Sequence, residues 1–496
     1  MKKVNFNGQP FHFIGIGGIG MSALAYILAK RNLPVSGSDL RPTHITQRLQ
    51  GAGAQIFHRQ EANNLALFHS PGPQNSSQTV PQVICSTAIN DHNKEYQAAR
   101  NLGYPIFHRS DVLAALIADY DSIAVAGTHG KTTTSSLIGY VLLEAGLDPT
   151  IIVGGEVDAW EGNARLGQGR FLVAEADESD GSLTKHAPKI GVITNIELDH
   201  PDHYHNLSEV IDTFHEFANQ CQILVACLDC DTIAEHFRPT ISYSLDPEKG
   251  ADYTVSEIIY EQGMMKASVW EKGSYLGQME VKIPGQHNIS NALAVVAIGR
   301  YLGLEFAVIA DAIATFAGAK RRFEHKGEAN GITFIDDYAH HPSELLATLA
   351  AAKLKVEGKQ YQRSIAIFQP HRYSRTTAFL EEFGSAFSSA DVVVLTDIYS
   401  AGEVNINHVT GQQVAEQVRK HHKNAYYHPE LSSLGQFLLE ILQPGDLALF
   451  LGAGNLNQVI PEMLSVYCEQ LAYQLSVISY QLSVISYQLS VIRCKF

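Results

Sequence analysis

Short apolar runs recur along the chain, and most of them end in a glycine or in a cluster of polar side chains. Runs of about four to eight residues rich in Val, Ile and Phe predict buried strands, and apolar residues three or four positions apart predict helices. The two patterns alternate, which indicates an α/β fold. The predicted strands are Phe11–Ile14, Leu33–Asp39, Val83–Ile89, Ile123–Ala126, Phe171–Ala174, Ile190–Ile196, Ile332–Ile335, Ile365–Phe368, Val392–Leu395 and Leu447–Leu451. The predicted helices include Met21–Leu28, Val112–Leu116, Leu137–Leu143 and Leu293–Leu302.

The first glycine-rich turn, Gly15–Gly20, fits the pattern G-x-G-x-x-G between a predicted strand and a predicted helix. The next predicted strand ends at Asp39, where a dinucleotide-binding fold contacts a ribose. The pattern favours NAD(P) or FAD, although it specifies only a diphosphate near a helix end and a nearby acid. A nucleotide-sugar diphosphate therefore satisfies it equally well.

The second glycine-rich turn, Ala126–Thr134, also leads from a predicted strand into a predicted helix. Its glycines and the helix start would place N–H groups around a phosphate, Lys131 would reach the terminal phosphates, and Thr132 would hold Mg²⁺. The first glycine of the phosphate-loop consensus would fall at position 125, which is a valine, Val125. The turn predicts a nucleotide triphosphate site, and a plain strand-to-helix turn with an exposed lysine is the alternative.

Two more strand ends carry acids and a histidine. Phe171–Ala174 leads into Glu175–Asp180, which contains four acids, and Ile190–Ile196 leads into Glu197–His203, which contains His200. Ligands bind at the carboxyl ends of strands in open α/β sheets. A carboxylate and an imidazole from neighbouring strands could complete the shell of Mg²⁺ ions on the phosphates. Each cluster alone could be a solvated loop, but together they predict a metal site.

Polar clusters in the second half of the chain predict a purine contact and an anion pocket. Gly285–Ala292 opens an apolar helix and offers amide and imidazole edges suited to a purine, although Asn is also favoured at helix starts. Predicted strands lead into Asp336–Pro342 and into Gln369–Thr376. Histidine, tyrosine and two arginines there could fix a small carboxylate by charge-assisted hydrogen bonds. Surface ion pairing would explain any one of these arginines equally well.

Composition limits the classes of function. A chain of 496 residues suggests about three domains, and a formal net charge of −15 gives no general attraction to nucleic acid or to an acidic membrane. No secretory leader is visible at Met1–Phe6, and no apolar run reaches the length of a membrane span. The single C-x-x-C, Cys227–Cys230, is typical of two ordinary thiols. We expect reduced cysteines, a cytoplasmic location, and neither nucleic acid nor membrane as a partner.

The order of these segments resembles that of the Mur ligase family. The resemblance covers about residues 8 to 460 and includes Arg321–Glu324. In that family Ala-Gly-Thr-His-Gly-Lys-Thr is the usual loop form, which explains Val125. The resemblance implies three α/β domains: a Rossmann-like domain for a UDP-sugar, a P-loop ATPase-type domain, and a Rossmann-like C-terminal domain that closes over an amino acid. We place them at residues 1–120, 121–319 and 320–464.

The resemblance also implies a reaction. ATP would phosphorylate the lactyl carboxylate of UDP-N-acetylmuramate, and the amine of L-alanine would attack the acyl phosphate. The tetrahedral intermediate would then collapse to amide, ADP and phosphate. Phosphorylation is needed because a free carboxylate would have to expel oxide. The cofactors implied are ATP and Mg²⁺, and we expect a monomer or a weak homodimer.

Residue roles follow from the resemblance. The UDP-sugar cradle would contain Gly15, Gly17, Gly18, Ile19, Gly20, Asp39, Ser86, Thr87 and Ala88. ATP would contact Gly127, Thr128, His129, Gly130, Lys131, Thr132, Thr133, His287, Asn288, Asn291, Arg322 and Asp337. The metal ligands would be Thr132, Glu175 and His200, and the amino-acid pocket would contain Tyr338, His340, His371, Arg372 and Arg375. The catalytic set would be Lys131, Glu175, His200, His340, Arg372 and Arg375.

Three alternatives remain at this point. A recycling ligase would attach a preformed tripeptide to the same UDP-sugar, although Gly15–Met21 and Arg321–Glu324 look like the alanine-adding enzyme. A dinucleotide-dependent oxidoreductase would leave Lys131 and the acidic strand ends without a purpose. A non-catalytic UDP-sugar sensor would release no phosphate.

The C-terminal segment, residues 465–496, departs from the family. The sequence Tyr-Gln-Leu-Ser-Val-Ile-Ser begins at Tyr473, recurs at Tyr480 and is nearly complete at Tyr487. Leucine and isoleucine at alternating spacings of three and four offer a heptad stripe, and the same uncharged repeats could equally form a β-aggregating segment. We predict that this tail has no function.

Overall fold

The computed structural model describes residues 3–68 and 80–493, and the chain divides into two compact units between Lys320 and Arg321. Residues 1–2 and 69–79 of the first predicted domain and residues 494–496 of the predicted tail lie outside the described residues. Within the described part of the chain, no helix is both long enough and apolar enough to cross a membrane.

The first sheet has five parallel strands in the order β3-β2-β1-β4-β5. Its strands are β1 Phe11–Ile14, β2 Val35–Ser38, β3 Gln55–Phe57, β4 Gln82–Cys85 and β5 Ile106–His108. Its helices are α1 Ile19–Lys30, α2 His44–Gly51, α3 Lys94–Asn101 and α4 Arg109–Asp119, with a 3₁₀ helix at Ala62–Phe68. Because β1 pairs with both β2 and β4, the segments that follow these three strands leave the sheet at one edge.

The second sheet, in the same unit, has ten strands in the order β15-β14-β13-β12-β11-β10-β6-β9-β7-β8. Its strands are β6 Asp121–Ala126, β7 Thr150–Val157, β8 Gly162–Arg165, β9 Phe171–Glu175, β10 Ile190–Ile193, β11 Ile223–Cys227, β12 Ile241–Ser244, β13 Tyr253–Glu261, β14 Met264–Glu271 and β15 Ser274–Val281. Its helices are α5 Lys131–Glu144, α6 Leu207–Gln220, α7 Asp231–His236, α8 Gln286–Tyr301 and α9 Phe306–Thr315, with 3₁₀ helices at Asp158–Trp160, Ser182–Lys185 and Pro247–Lys249.

Strand β6 lies inside the second sheet, between β10 and β9. It pairs in parallel with β9 and β10, with Val125 opposite Glu175 and Ala126 opposite Ile193. The segments after these three strands therefore meet at one point of the sheet edge. Strand β8 pairs antiparallel with β7, and β13, β14 and β15 form an antiparallel meander at the other end.

The second unit contains a six-stranded sheet in the order β16-β17-β21-β18-β19-β20, in which only β16 is antiparallel to its neighbour. Its strands are β16 Glu324–Ala329, β17 Ile332–Asp337, β18 Arg363–Phe368, β19 Val392–Leu395, β20 Ala425–Tyr427 and β21 Asp446–Leu451. Its helices are α10 Pro342–Glu357, α11 Tyr373–Ala378, α12 Leu380–Ser385, α13 Gly411–His421, α14 Leu431–Ile441 and α15 Val459–Arg493, with a 3₁₀ helix at Leu456–Gln458. Apolar side chains are buried on both faces of this sheet.

Three predicted strands are shorter than expected: the strand predicted at Leu33–Asp39 spans only Val35–Ser38, and the other two end early for a local reason. The strand predicted at Val83–Ile89 ends at Cys85, because Ile89 turns back and donates its N–H to the Ser86 carbonyl at 3.0 Å. The strand predicted at Ile190–Ile196 ends at Ile193, because Thr194 turns its hydroxyl towards the loop after β6. Polar residues at these strand ends bind neighbouring loops instead of continuing the ladder.

Helix α15 includes most of the predicted tail. Its first turns pack on the core of the second unit, with Ile460 and Met463 buried and Tyr467 5% exposed beside Phe334. Tyr480 and Leu482 further along the helix are exposed. The repeats therefore take the helical alternative, and the core extends to Tyr467, beyond the proposed start of the tail at residue 465.

Candidate active site

The glycines of the turn after β6 allow it to pack tightly. Gly127 has φ +135°, and a Cβ there would lie 2.0 Å from Thr194 Oγ1. Gly130 has φ +81°, and its Cβ would lie 2.7 Å from Asn291 Oδ1 on α8. Both positions combine a left-handed backbone with a close neighbour, so both require glycine.

Residues after β10 hold this turn in shape. His129 donates its N–H to Asn195 Oδ1 at 2.8 Å, while Asn195 Nδ2 and the Thr194 hydroxyl donate to the His129 carbonyl at 3.1 and 2.6 Å. Thr128 donates its N–H to the Asn195 carbonyl at 3.0 Å. The first turn of α5 contains no acid among its described residues, so its N–H groups can receive an anion. Hydrogen bonds within the protein thus hold the turn in this shape.

Lys131 is bound to a carboxylate that the sequence did not single out. Its Nζ donates to both carboxylate oxygens of Glu178, at 3.0 and 2.9 Å, and to the Gly127 and Thr128 carbonyls at 2.7 and 3.2 Å. Burial acts to lower the pKa of Lys131, but Glu178 and Asp177 raise it above its usual value, so the lysine is protonated. Burial raises the pKa of Glu178 to about 7 against the attraction of Lys131.

The predicted metal ligands come from three elements around this turn. Glu175 ends β9 and accepts the Gly154 N–H at 2.8 Å, and Thr132 is buried in the first turn of α5. His200 has φ +55°, which is strained for a non-glycine residue, and its Nε2 lies 3.8 Å from Glu178 Oε1.

A second set of possible ligands overlaps the predicted one. Ligand atoms of Asp177, Glu178 and His200 all lie within 4.8 Å of one another. Carboxylate and hydroxyl oxygens are the ligands that Mg²⁺ prefers, so the donors around Lys131 fit a divalent cation beside a phosphate. His200 belongs to both sets, whereas Glu175 is not in the compact group.

The residues predicted to contact adenine lie at the start of α8, beside the same turn. Asn291 accepts the Thr134 hydroxyl at 3.1 Å and donates to Asn288 Oδ1 at 3.2 Å. Asn288 is 5% exposed and donates to the Pro284 carbonyl at 2.8 Å. His287 Nε2 lies 3.0 Å from Asn288 Nδ2. The two asparagines thus brace the phosphate turn as well as offering edges to a purine.

The first glycine-rich turn is more exposed. Gly15 has φ +80°, and Gly17 donates its N–H to Asp39 Oδ2 at 2.9 Å. A Cβ on Gly15 would lie 3.6 Å from Ile89, so the segment that contains Ser86, Thr87 and Ala88 lies beside this turn. The structure therefore brings all the predicted UDP-sugar residues to one edge of the first sheet.

Arg109, at the start of α4, was missed by the sequence reasoning. Its Nη2 lies 3.0 Å from Asp177 Oδ2 and 3.6 Å from Asp180 Oδ2, and its Nη1 would lie 3.4 Å from a Cβ on Gly20. It therefore contacts both the acidic strand end and the helix of the first turn. Nearby His186 is 1% exposed, and burial lowers its pKa to about 4.

In the second unit, the predicted ATP residues lie at the end of β17. Asp337 is buried, accepts the N–H groups of Phe323 and Ala339 at 2.7 and 2.8 Å, and is attracted by Arg322. Burial nevertheless raises the pKa of Asp337 to about 6. The Arg322 guanidinium lies 5.4 Å from the centre of the Tyr338 ring.

The predicted amino-acid pocket also forms within this unit. The rings of Tyr338 and His340 lie 5.3 Å apart, and those of His340 and His371 lie 5.9 Å apart. Arg375 is 2% exposed, and its Nη1 lies 3.3 Å from His371 Nδ1. Arg372 has φ +68° and donates to a carboxylate, that of Glu403, at 3.1 Å. Strand order explains the grouping, because β17 and β18 both flank β21.

The cysteines show no sign of reactive chemistry in the described residues. Cys85, Cys221, Cys227, Cys230 and Cys468 are free thiols. Burial raises the pKa of Cys227 to about 12, with Asp229 adding to the shift, and burial raises that of Cys221 to about 12. Such thiols stay protonated and are poor nucleophiles.

Family models match all three sheets. The model for "Mur ligase family, catalytic domain" matches residues 10–121, "Mur ligase middle domain" matches residues 125–299, and "Mur ligase, glutamate ligase domain" matches residues 321–454. The three matches follow one another along the chain without overlap.

Named relatives match the chain over nearly its whole length. A UDP-N-acetylmuramate–L-alanine ligase of Microcystis aeruginosa is 98% identical over 475 residues, covering 96% of this chain and 99% of that protein. One of Gloeothece citriformis is 66% identical over 491 residues, covering 94% and 99%. The crystal structure of a UDP-N-acetylmuramate–alanine ligase of Thermotoga maritima has a TM-score of 0.77 at 29% identity, covering 93% and 99%.

Proposed function

The chain belongs to the Mur ligase family, and we propose that it joins L-alanine to the lactyl carboxylate of UDP-N-acetylmuramate. The products are UDP-N-acetylmuramoyl-L-alanine, ADP and phosphate, and the reaction belongs to peptidoglycan precursor synthesis. The observation that carries the chemistry is Lys131, a largely buried cation in a glycine turn beside Glu175, Asp177 and Glu178. That arrangement suits a triphosphate and its metal ions, and the first glycine-rich turn, Gly15–Gly20 in the same unit, suits a UDP-sugar.

On the ATP side, the chain's residues neutralise charge. N–H groups of the turn and the start of α5 would bind the phosphates, and Lys131 would exchange Glu178 for the transferring phosphoryl group. Thr132, Glu175 and His200 would hold Mg²⁺, which neutralises phosphate charge when bound. Positive charge placed in advance where negative charge builds up lowers the barrier, because the buried site needs little reorganisation.

On the UDP-sugar side, the chain's residues orient the acceptor. N–H groups of Gly15–Gly20 would bind the diphosphate, with Asp39 shaping the turn and Ser86–Ala88 beside it. Both glycine turns belong to one compact unit, so the lactyl carboxylate can be held against the terminal phosphate of ATP. The carboxylate oxygen would attack phosphorus, ADP would leave, and an acyl phosphate would form.

In the second unit, the residues suit an amino acid and an oxyanion. Arg372 and Arg375 would stabilise the negative charge of the tetrahedral intermediate, and Arg375 is buried, where such an interaction is strongest. Tyr338, His340 and His371 would line the alanine site. Arg322 and Asp337 would contact a nucleotide.

Some features are proposed on the reaction and the family alone. We keep the domain boundaries of residues 1–120 and 121–319, and extend the third domain from residues 320–464 to residues 320–467, so that the tail begins after Tyr467. We also keep the cytoplasmic location, because the reaction needs ATP, and a monomer or weak homodimer without nucleic acid or membrane partners. Membership of the Mur ligase family supports neither the oxidoreductase nor the non-catalytic sensor.

The deciding experiment measures phosphate release from ATP in the presence of UDP-N-acetylmuramate, comparing L-alanine, glycine, L-serine and the tripeptide. L-Alanine should give the highest kcat/KM, and omission of the UDP-sugar should abolish release. Preference for the tripeptide would instead identify a recycling ligase. No phosphate release with any amine would contradict the proposed ligase.

A further inference from the structure

The hairpin of β7 and β8, residues 150–165, contacts both glycine-turn regions of the first unit. On β7, Gly154 donates its N–H to Glu175 Oε2 at 2.8 Å. A Cβ on the next residue, Gly155, would lie 3.0 Å from Thr132 Cγ2. Strand β7 therefore contacts two of the proposed metal ligands directly.

Strand β8 binds the helix that follows the UDP-sugar turn. Asn163, which is 3% exposed, donates through Nδ2 to the Ile19 carbonyl at 2.5 Å and to the Ser22 hydroxyl at 3.0 Å. Ile19 is the first residue of α1 and a proposed UDP-sugar residue. The hairpin thus holds the helix end whose N–H groups would bind the diphosphate.

Arg48 of α2 makes a second, independent attachment. Its guanidinium lies 4.0 Å from the centre of the Tyr26 ring and donates to the Trp160 and Ala164 carbonyls at 3.2 and 2.8 Å. Gly162 has φ +155°, and a Cβ there would lie 2.2 Å from Arg48 Nη1. The hairpin backbone is therefore shaped to receive this guanidinium.

We infer that Asn163 and Arg48 are positioning residues for the first chemical step. They would fix the start of α1, and with it the UDP-sugar, relative to Thr132 and Glu175 through the β7–β8 hairpin. This inference rests on the proposed function. Neither side chain needs to touch a substrate, because each binds the backbone or a neighbouring side chain.

The physical reason is the steep dependence of phosphoryl transfer on alignment. A misplacement of about 1 Å can cost about 100-fold in rate even when it originates far from the reacting atoms. Neither glycine turn depends on the other for the hydrogen bonds that shape it, so loss of the attachment should leave the binding of each ligand alone unchanged. Only the step that needs both ligands in register should slow.

The test compares Asn163→Ala and Arg48→Ala with the wild type in three measurements. Calorimetry gives Kd for UDP-N-acetylmuramate alone and for ATP alone, and single-turnover ADP formation with both ligands gives the rate of the first step. We expect each Kd to stay within about twofold and ADP formation to fall by about tenfold or more. Arg48→Lys, which keeps one charged donor, should give an intermediate rate.

Arg165→Ala is the matched control on the same strand. Arg165 donates to the Pro149 carbonyl at 2.9 Å and to Asp148 at 2.5 Å, both outside the first sheet. We expect this variant to form ADP at the wild-type rate. It also shows what loss of an arginine from β8 does to the melting temperature.

Two results would overturn the inference. One is a wild-type rate of ADP formation in both Asn163→Ala and Arg48→Ala. The other is a slower rate of ADP formation that has a different cause. A matching loss of affinity for a single ligand would indicate a role in binding, and an equally large fall in the rate of ADP formation in Arg165→Ala would indicate a purely structural role. A wild-type enzyme that forms no ADP would instead overturn the proposed function, and this inference with it.

Discussion

The two glycine-rich turns share a local plan but have opposite surroundings. Gly15–Gly20 follows β1 and Gly127–Lys131 follows β6, and each leads into a helix at the carboxyl end of a strand whose neighbours are parallel. The first turn lies at the surface, where Ile19 is 39% exposed, and Asp39 binds it through one N–H. The second turn is largely buried, and side chains from the end of β10 and from α8 bind it.

The difference teaches that a glycine pattern specifies a phosphate, while its surroundings decide what happens to that phosphate. The exposed turn offers N–H groups held in shape by Asp39, which suits the proposed binding of a diphosphate that does not react. The second turn adds Lys131 and carboxylates in a largely buried site, where charge interactions are strong. The following predictions test this comparison, from the largest expected effect to the smallest.

Lys131→Ala should separate the two turns most clearly. It removes the cation of the buried turn, so ADP formation should fall on the order of 10³-fold, whereas calorimetry should show unchanged binding of UDP-N-acetylmuramate. Lys189→Ala is the control, because Lys189 pairs with Asp121 on the same sheet but lies at the surface. Normal turnover in Lys131→Ala would contradict the assignment.

A methyl group on each turn should show how tightly each is packed. At Gly127 it would lie 2.0 Å from Thr194 Oγ1 and 3.0 Å from the Thr194 nitrogen, so kcat/KM for ATP should fall on the order of 10²-fold. At Gly18 the nearest atom would be the Gly15 carbonyl oxygen at 3.5 Å, with φ −63°. Gly18→Ala should keep the wild-type melting temperature and raise only KM for the UDP-sugar. Equal losses of kcat/KM for ATP in Gly127→Ala and Gly18→Ala would contradict this difference in packing between the two turns.

His186, near the Arg109 side of the first turn, should give the unit a dependence on pH. Its pKa is about 4 when folded, because of burial, and about 6.5 when unfolded. Between these pH values His186 binds more protons in the unfolded chain than in the folded chain. The contribution of neutral His186 to the free energy of unfolding is therefore complete above about pH 6.5 and is lost as the pH falls towards 4. Wild type should lose about 2 kcal/mol more than His186→Gln between pH 7.5 and pH 5 in urea unfolding. Parallel losses would show that His186 does not titrate in this range.

Glu178→Gln should strengthen ATP binding at the buried turn, whereas Lys131→Ala should slow ADP formation there. Without its bidentate partner, Lys131 is free to meet the phosphates, so Kd for ATP measured without metal should fall by about three- to tenfold. Asp212→Asn removes the same charge from an exposed position on α6 and should leave Kd unchanged. Weaker ATP binding in Glu178→Gln would mean that Glu178 supports the nucleotide instead of competing with it.

Removal of residues 470–496 should affect neither turn. Tyr467 and the core of the second unit are retained, so phosphate release and the melting temperature should match those of the full chain. A chain that ends at residue 466 should be less stable, because it lacks the buried Tyr467 side chain. Loss of activity in the longer variant would give the repeats a function.

Elements and strand ends could be predicted from the sequence because they depend on spacing within a few residues. The prediction of Phe11–Ile14 and that of Val392–Leu395 are confirmed with the same bounds. Both glycine turns, the acids after β9 and the polar residues after β17 were located by the same local signals. The two units and the exposed or buried state of each turn were not visible, because they depend on packing.

By itself, therefore, the sequence determined which segments become strands and helices and which polar residues lie at strand ends. Only the tertiary structure decided the partners: Glu178 meets Lys131 across 47 positions, and Asn163 meets Ile19 across 144. The physical reason is strand order, which sets β9 and β10 on either side of β6 and directs the β7–β8 hairpin against α1. Periodicity along a chain carries no information about that order.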